Sequence, residues 1–505
     1  MNWRIARHTV LLCLFGAATT VNAQQRAPLT LEEAIDLASR NNPLFLQTLN
    51  DLGPAAWGVR AATASLLLPD ANLSFGVAKQ NAGQERLGAA AFAQPAVRLS
   101  QYNFSLSYIL NGATLFQPGQ RRAERRAVER RIDDAELVLH SQVTSAYLEV
   151  LRLEARAEQA ERELRRTEEY LRLAEAREQV GAGTRLETMQ ADLARGQAEV
   201  ARVQAHNAAR VAKLRLIQAL GVQMPPDQVE LVSEFQVFAP QLDLESLVSE
   251  AMGRHPSLVA VRADRDAANS SVKVAKAAYL PTLSLRAGWS GFTREETDPN
   301  ASIWQAVTSA RATRDDAVWV CNTFNELYVA SGLEVPAEFS NCSGYPAVDS
   351  VAIDNRIRSA NDVFPFDFAN QPLTLSAGFS LPIFNGFSRQ LQVEQATALR
   401  NDLDHQTRAL ELQIRADVTE AVHNLETAYQ TVQLQEENTQ TAREELRLAR
   451  ERYQLGAGTF LELLDSQTLA AQAEVDQIEA VFGFHQSLTA LEAAVGRSLE
   501  FAGAN

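Results

Sequence analysis

What the sequence is short of narrows it first. Its 505 residues include only three cysteines. Beyond residue 23 no run of about 18 apolar residues occurs, so no helix of the mature chain is apolar enough to cross a bilayer, and any crossing would have to use strands. Positive charge is scarce as well: Lys+Arg is 47 against Asp+Glu 62, a net −15. Removing the first 23 residues, with Arg4 and Arg7 and no acid, takes the balance to −17, which speaks against a nucleic-acid binder. There is no HExxH pair, no paired metal spacing among His140, His206, His255, His405, His423 and His485, and no GxxxxGK[ST] phosphate loop. Nothing calls for an enzyme, a metal or a cofactor, and any energy source must lie in a partner.

Residues 1–23 read as a secretory signal: Arg4 and Arg7, an apolar run from Val10 to Ala18, and a small-residue cleavage site at Val21-Asn22-Ala23. Cys13 follows Leu12, where a lipoprotein site wants Gly or Ala, which argues against a lipid anchor. Cys321 and Cys342 remain, an even pair in an exported chain, and a disulfide between them is the natural reading.

The chain repeats itself. RLAEAREQVGAGT (Arg172–Thr184) and RLARERYQLGAGT (Arg447–Thr459) share nine of thirteen residues at an offset of 275. QAEV recurs on the same offset at Gln197–Val200 and Gln472–Val475. Upstream, LTLEEAIDLASRNNP (Leu29–Pro43) pairs with LDLESLVSEAMGRHP (Leu242–Pro256) at an offset of 213, so the second copy holds 275 − 213 = 62 additional residues. The organisation expected is a signal at 1–23, a first repeat at 24–228, and a second repeat at 229–505 with an insertion at about 293–371.

Each repeat opens with a short helix, bracketed by Thr30 and Pro43 in the first and by Asp243 and Pro256 in the second. Period-two strands follow. Leu73, Phe75 and Val77 alternate with small or polar residues, as do Phe104, Leu106, Tyr108 and Leu110; Leu283, Leu285, Ala287 and Trp289; and Leu373, Leu375, Ala377, Phe379 and Leu381. The period then becomes helical. Val143, Ala146, Val150, Leu153, Ala157, Ala160, Leu164, Thr167, Leu171 and Ala174 form a 3,4-spaced seam in a helix expected from Gly119 to Val180, about 90 Å long. Gly181-Ala182-Gly183-Thr184 reverses the chain, and a returning helix continues the seam through Leu186, Met189, Leu193, Gly196, Val200 and Val203. Ile414, Val418, Val422, Leu425, Tyr429 and Val432 lead likewise into Gly456-Ala457-Gly458-Thr459. The fold class is mainly α with a small β part: two hairpins of very long helices, each joined to two strands.

Two readings fit the strands, a half-buried soluble sheet and an outer-membrane barrel with alternating lipid and lumen faces. Four strands cannot close a barrel, and an open edge in lipid leaves backbone groups unpaired, so a membrane reading requires an oligomer.

The duplicated layout, the LTLEEAIDLASRNNP opening, LPIFNG (Leu381–Gly386) and RYQLGAGTFLELLDSQ (Arg452–Gln467) resemble the TolC-like outer-membrane factor (outer membrane efflux protein) family over essentially the whole mature chain. The resemblance implies a homotrimer in the cell outer membrane. Each subunit would give four strands to a twelve-stranded transmembrane barrel in outer-membrane lipid, and its helices would line a periplasmic tunnel. The tunnel tip would dock on a periplasmic adaptor protein and an inner-membrane transporter.

By the same resemblance the glycine turns, with Gly181, Gly183, Thr184, Gly456, Gly458 and Thr459, lie at the periplasmic tip and contact the adaptor. Glu187, Glu462 and Asp465 fall on acidic positions of the pore entrance, and Tyr453 matches a gating tyrosine. Gly458 stands where some members carry a linking arginine, and Gln190 replaces a second acid of the first hairpin. Glu462 and Asp465 are i and i+3 and share a helix face, so three copies would favour cations; acids in a helix first turn are equally what the helix dipole favours. Arg121, Arg122, Arg125 and Arg126 read as a solvated helix face, with acidic lipid head groups as the alternative. The insertion, with Trp304, Trp319 and the cysteine pair, is expected as an extracellular cap or a passive loop. The function implied is the exit channel of a tripartite efflux system for drugs or other small molecules. The exit channel of a type I protein-secretion system is an alternative, and a coiled-coil envelope protein without a pore is one from another class.

Overall fold

The structure, a computed structural model, describes residues 27–88, 90–232 and 235–499. The signal segment at 1–23, with Cys13, lies outside the described residues. In the first repeat β1 (Ala27–Leu29) leads into α1 (Leu31–Asn41), α2 (Pro43–Asn50) and α3 (Leu52–Leu67). Four strands follow, β2 (Asp70–Gln80), β3 (Gly83–Leu87), β4 (Ala90–Gln94) and β5 (Val97–Leu110), then the long helices α4 (Gly112–Gln179) and α5 (Arg185–Leu220). The second repeat runs through β6 (Val229–Leu231), α6 (Leu244–Arg254), α7 (Pro256–Ala277) and β7 (Thr282–Glu296). Its inserted helices are α8 (Asn300–Ala330), α9 (Ala337–Ser340) and α10 (Ser350–Asn361). β8 (Ala369–Asn370), β9 (Thr374–Ser380), α11 (Ser388–Gln454) and α12 (Phe460–Val495) complete it.

Local chemistry explains most boundaries. Thr30 accepts from Glu33 N while Glu33 reaches back to Thr30 N, closing a capping box on α1. Asn42 caps α2, with Pro43 at its first position. Asp243 stands at the α6 N-cap but makes no side-chain cap bond. α4 starts seven residues before the expected Gly119, because Asn111 and Thr114 exchange side-chain to backbone bonds of 2.9 Å that nucleate the helix ahead of Pro118.

The chain forms two compact units, each drawing on both repeats: one of Arg60–Pro118 and Lys273–Val393, the other of the remaining segments. In the helical unit the duplication is visible in the packing. Leu139, Val143, Tyr147, Val150, Leu216 and Leu220 form one buried cluster, and the residues 275 positions on, Ile414, Val418, Val422, Leu425, Leu491 and Val495, form the other. The seam expected on α4 is buried or half-buried throughout. Its continuation on α5 is not: Leu186, Met189, Leu193, Val200 and Val203 are 54–64% exposed. α5 packs on α4 through another face, with Thr188 donating to Glu178 at 2.5 Å and Lys213 paired with Glu154 at 2.6 Å. Its apolar seam therefore faces away from its own chain.

In the other unit β2, β5, β7 and β9 form an antiparallel sheet in that order, with β8 also on β7. The register sets like on like. Leu73 faces Phe104, which faces Trp289, and Leu106 faces Ala287, which faces Leu375. Asn72 faces Ser105, which faces Gly288, which faces Thr374. Residues two apart share a face, so every apolar row falls on one side. Leu73, Leu375 and Phe379 are more than 70% exposed there. Among the described residues β2 and β9 each pair on one edge only.

The insertion begins later than expected, because β7 continues to Glu296 opposite Val97 and is fixed there by Ser100 and Thr293, 2.7 Å apart and buried. The first-repeat connection between β2 and β5 holds a hairpin of β3 and β4. Cys321 of α8 and Cys342 form the expected disulfide, beside Phe339, whose ring stacks on Phe324 at 5.0 Å. Among the described residues no helix is long and apolar enough to cross a membrane.

Candidate functional site at the hairpin turns

Both hairpin turns are built alike. Gly181 and Gly456 take φ of +76° and +74°, a left-handed conformation that a side chain would strain. Around them Ala182 N donates to Arg177 O and Gly181 N to Glu178 O, with Ala457 to Arg452 and Gly456 to Tyr453 as the counterparts, which satisfies the last carbonyls of α4 and α11 in Schellman fashion. Gly183 and Gly458 serve close approach instead: a Cβ there would lie 3.0 Å and 3.2 Å from the Cβ of Arg177 and Arg452. Thr184 and Thr459 then cap the returning helices by accepting from Glu187 N and Glu462 N.

The side chains of the two turns differ. Tyr453, only 2% exposed, donates its hydroxyl to Glu187 Oε2 of the other hairpin at 3.1 Å. The Arg177 guanidinium lies over its ring at 4.6 Å, donates to Tyr453 O at 3.0 Å, and donates to Ala182 O at 3.1 Å. Burial first, then the charge of Glu187 and the hydrogen bond to it, push the Tyr453 phenol up to about 12, so it remains a donor at neutral pH. Glu462 and Asp465 are exposed, with Arg452 3.7 Å from Glu462. The structure thus brings Glu187 and Tyr453 together and leaves Glu462 and Asp465 open to solvent. Arg177 was missed by sequence reasoning, although the duplication keeps an arginine at that position as Arg452.

Behind the turns Tyr170, Ala174, Leu446, Tyr453, Phe460 and Leu463 pack as one core between the hairpins. Beyond it Glu474 of α12, 9% exposed, is gripped by Arg166 of α4 and, at 3.3 Å, by Arg443 of α11. Burial alone would raise its carboxyl, but the two arginines outweigh it and hold the group below the ordinary 4.5. Its neighbour Glu163 behaves oppositely. Burial dominates and raises its carboxyl despite Gln467, which donates at 2.5 Å, and Arg166, whose Nε lies 3.4 Å from Oε2 without hydrogen-bond geometry. The histidines are packing and surface residues: His485 is buried, which lowers it to about 4, and His206 meets Glu161 at 2.8 Å. Arg121 and Arg125 pair with Glu124 and Glu129 on an exposed face. Among the described residues no group of three His, Cys, Asp or Glu side chains could hold a metal ion.

The family model for outer membrane efflux proteins matches residues 34–222 and 342–497. The chain is 24% identical over 484 residues to the pyoverdine export outer membrane protein OpmQ of Pseudomonas putida, covering 92% of this chain and 85% of that one. Its fold is similar to a solved membrane protein from Pseudomonas aeruginosa, with a TM-score of 0.67 at 20% identity, covering 92% and 93% of the two chains. It is also similar to the outer membrane protein VceC of Vibrio cholerae, with a TM-score of 0.65 at 17% identity, covering 93% and 97%.

Proposed function

The chain belongs to the outer membrane efflux protein family, and we propose that within it the chain is the passive exit duct of a tripartite system that carries small molecules, drugs among them, out of the cell. It is an outer-membrane channel protein with a TolC-like fold, a periplasmic helical tunnel and a small β part, and not an enzyme. The observation that carries the reading is the sheet: four strands with apolar rows in register on one exposed face, and free edges at β2 and β9. An apolar face suits lipid, whereas unpaired edges in lipid would leave backbone donors and acceptors unsatisfied. Three copies, edge to edge, make a twelve-stranded barrel without edges. The exposed seam on α5 supports the same assembly, since a 3,4-spaced apolar stripe on a long helix wants a partner helix.

In this reading the turns containing Gly181, Gly183, Gly456 and Gly458 meet a periplasmic adaptor, which links the duct to an inner-membrane transporter. Glu462 and Asp465 face the entrance and give it a preference for cations. Glu187 helps hold the entrance shut through Tyr453. The relative's name, pyoverdine export, supports a small-molecule cargo over a protein. The test is intracellular accumulation of a fluorescent efflux dye in a strain lacking the gene. Accumulation that rises on deletion and falls on restoration is the expected result, and no change across a panel of small-molecule cargoes refutes it.

A further inference from the structure

We infer that Arg177 is the positioning residue of the entrance clasp, holding the Tyr453 ring so that its hydroxyl meets Glu187. The inference rests on the reading that the hairpin turns form the regulated entrance. Tyr453 belongs to the second hairpin, and everything polar that holds it across the gap comes from the first. Glu187 takes the hydroxyl. The Arg177 guanidinium lies against the ring face at 4.6 Å, and its two terminal nitrogens bond one carbonyl in each turn, Tyr453 O at 3.0 Å and Ala182 O at 3.1 Å. A planar fork can stack and donate in two directions at once, whereas a lysine ammonium has the charge without the plane.

Comparison of the two repeats sharpens the assignment. Arg452 occupies the position of Arg177 in the second copy, but it reaches only Ala457 O at 3.4 Å in its own turn and Glu462 at 3.7 Å, and it is 61% exposed. Glu178 occupies the position of Tyr453 in the first copy and bonds Thr188 of its own hairpin. The clasp is therefore one-sided: the first hairpin grips the second, and the repeat-equivalent residues make no reciprocal grip. The Arg177 Nε is buried without a hydrogen-bond partner, an arrangement that lowers stability and that the two contacts with Tyr453 and the one with Ala182 O of its own turn explain. Once the guanidinium is gone, nothing polar fixes the ring plane, and the hydroxyl bond to Glu187 loses its geometry. Arg177 thus acts through Tyr453.

The test uses the purified full-length channel in planar bilayers, reading open occupancy for wild type, R177A, R177K, Y453F, the R177A/Y453F double variant, and R172A, an exposed arginine of the same helix, as control. R177A is expected to raise open occupancy about tenfold, with R177K intermediate and R172A unchanged. The double variant should open no further than the larger single effect, because both changes disable one contact. Should R177A prove poorly folded, R177K carries the test, with helix content by circular dichroism as the check. If R177A matches wild type while Y453F opens the channel, or if the two effects add, the role of Arg177 falls and the entrance reading stands. If neither variant changes occupancy, both fall.

Discussion

Exchanging Glu474 and Glu163 for glutamine, one at a time, is expected to have unlike effects, although the two carboxylates are neighbours in one network. Glu474 accepts from both Arg166 and Arg443. Glu474→Gln keeps the shape and removes the charge. Arg166, 23% exposed, retains Glu163 at 3.4 Å, and Arg443, 56% exposed, recovers water. The loss lies between that of a surface pair and a broken buried pair, about 2 kcal/mol, or roughly thirtyfold in the local opening equilibrium. Glu163→Gln removes a charge that burial disfavours, keeps an acceptor for Gln467, and leaves Arg166 its pair with Glu474, so its effect should lie within about 1 kcal/mol of zero on the neutral or stabilising side.

The assay is amide hydrogen exchange of peptides around residue 474 in the detergent-solubilised protein at pH 7, where local opening is read directly. Equal acceleration by both variants, or none by Glu474→Gln, refutes the reasoning. The pH dependence has two signs. Glu474, with its folded pKa lowered, stabilises fully above 4.5, and the contribution is lost as pH falls through the lowered value. Glu163, with its folded pKa raised, contributes most below 4.5, and that contribution is lost as pH rises through the raised value. Mild acidification from pH 7 towards 4.5 should therefore slow intrinsic-rate-corrected exchange, and stronger acid should speed it.

Other expectations follow from the turns, the sheet and the insertion. Glu462→Gln with Asp465→Asn should reduce cation selectivity, measured as reversal potential across a salt gradient; an unchanged potential rules out an acidic entrance. Leu375→Arg, on the exposed apolar face, should cost about 2–4 kcal/mol of barrel stability in lipid, whereas Ser376→Arg on the opposite face should be tolerated. Equal effects on folding into lipid vesicles would favour a soluble sheet. Cys321 and Cys342 should resist alkylation until reductant is added, and two labelled thiols without reductant would contradict the bridge.

Much of the molecule was legible because it is written in short-range periodicities. The 3,4 seam of α4, the period-two strands and the GAGT turns each need only residues within a few positions of one another, where helix and strand geometry set the spacing, and the repeat at an offset of 275 writes the turn motif twice. The resemblance carried by the turn motif and the repeat supplied the family. Tertiary structure alone decided what meets across hairpins. Tyr453 and Glu187 are 266 residues apart, and Arg177 and Tyr453 are 276 apart, so no local spacing encodes either contact. The seam of α5 has the period of α4 and yet points outward, because periodicity fixes that a face exists and not which neighbour it meets. Glu163 and Glu474 are both acids on long helices, and only their surroundings, burial in one case and two arginines in the other, give them opposite protonation behaviour.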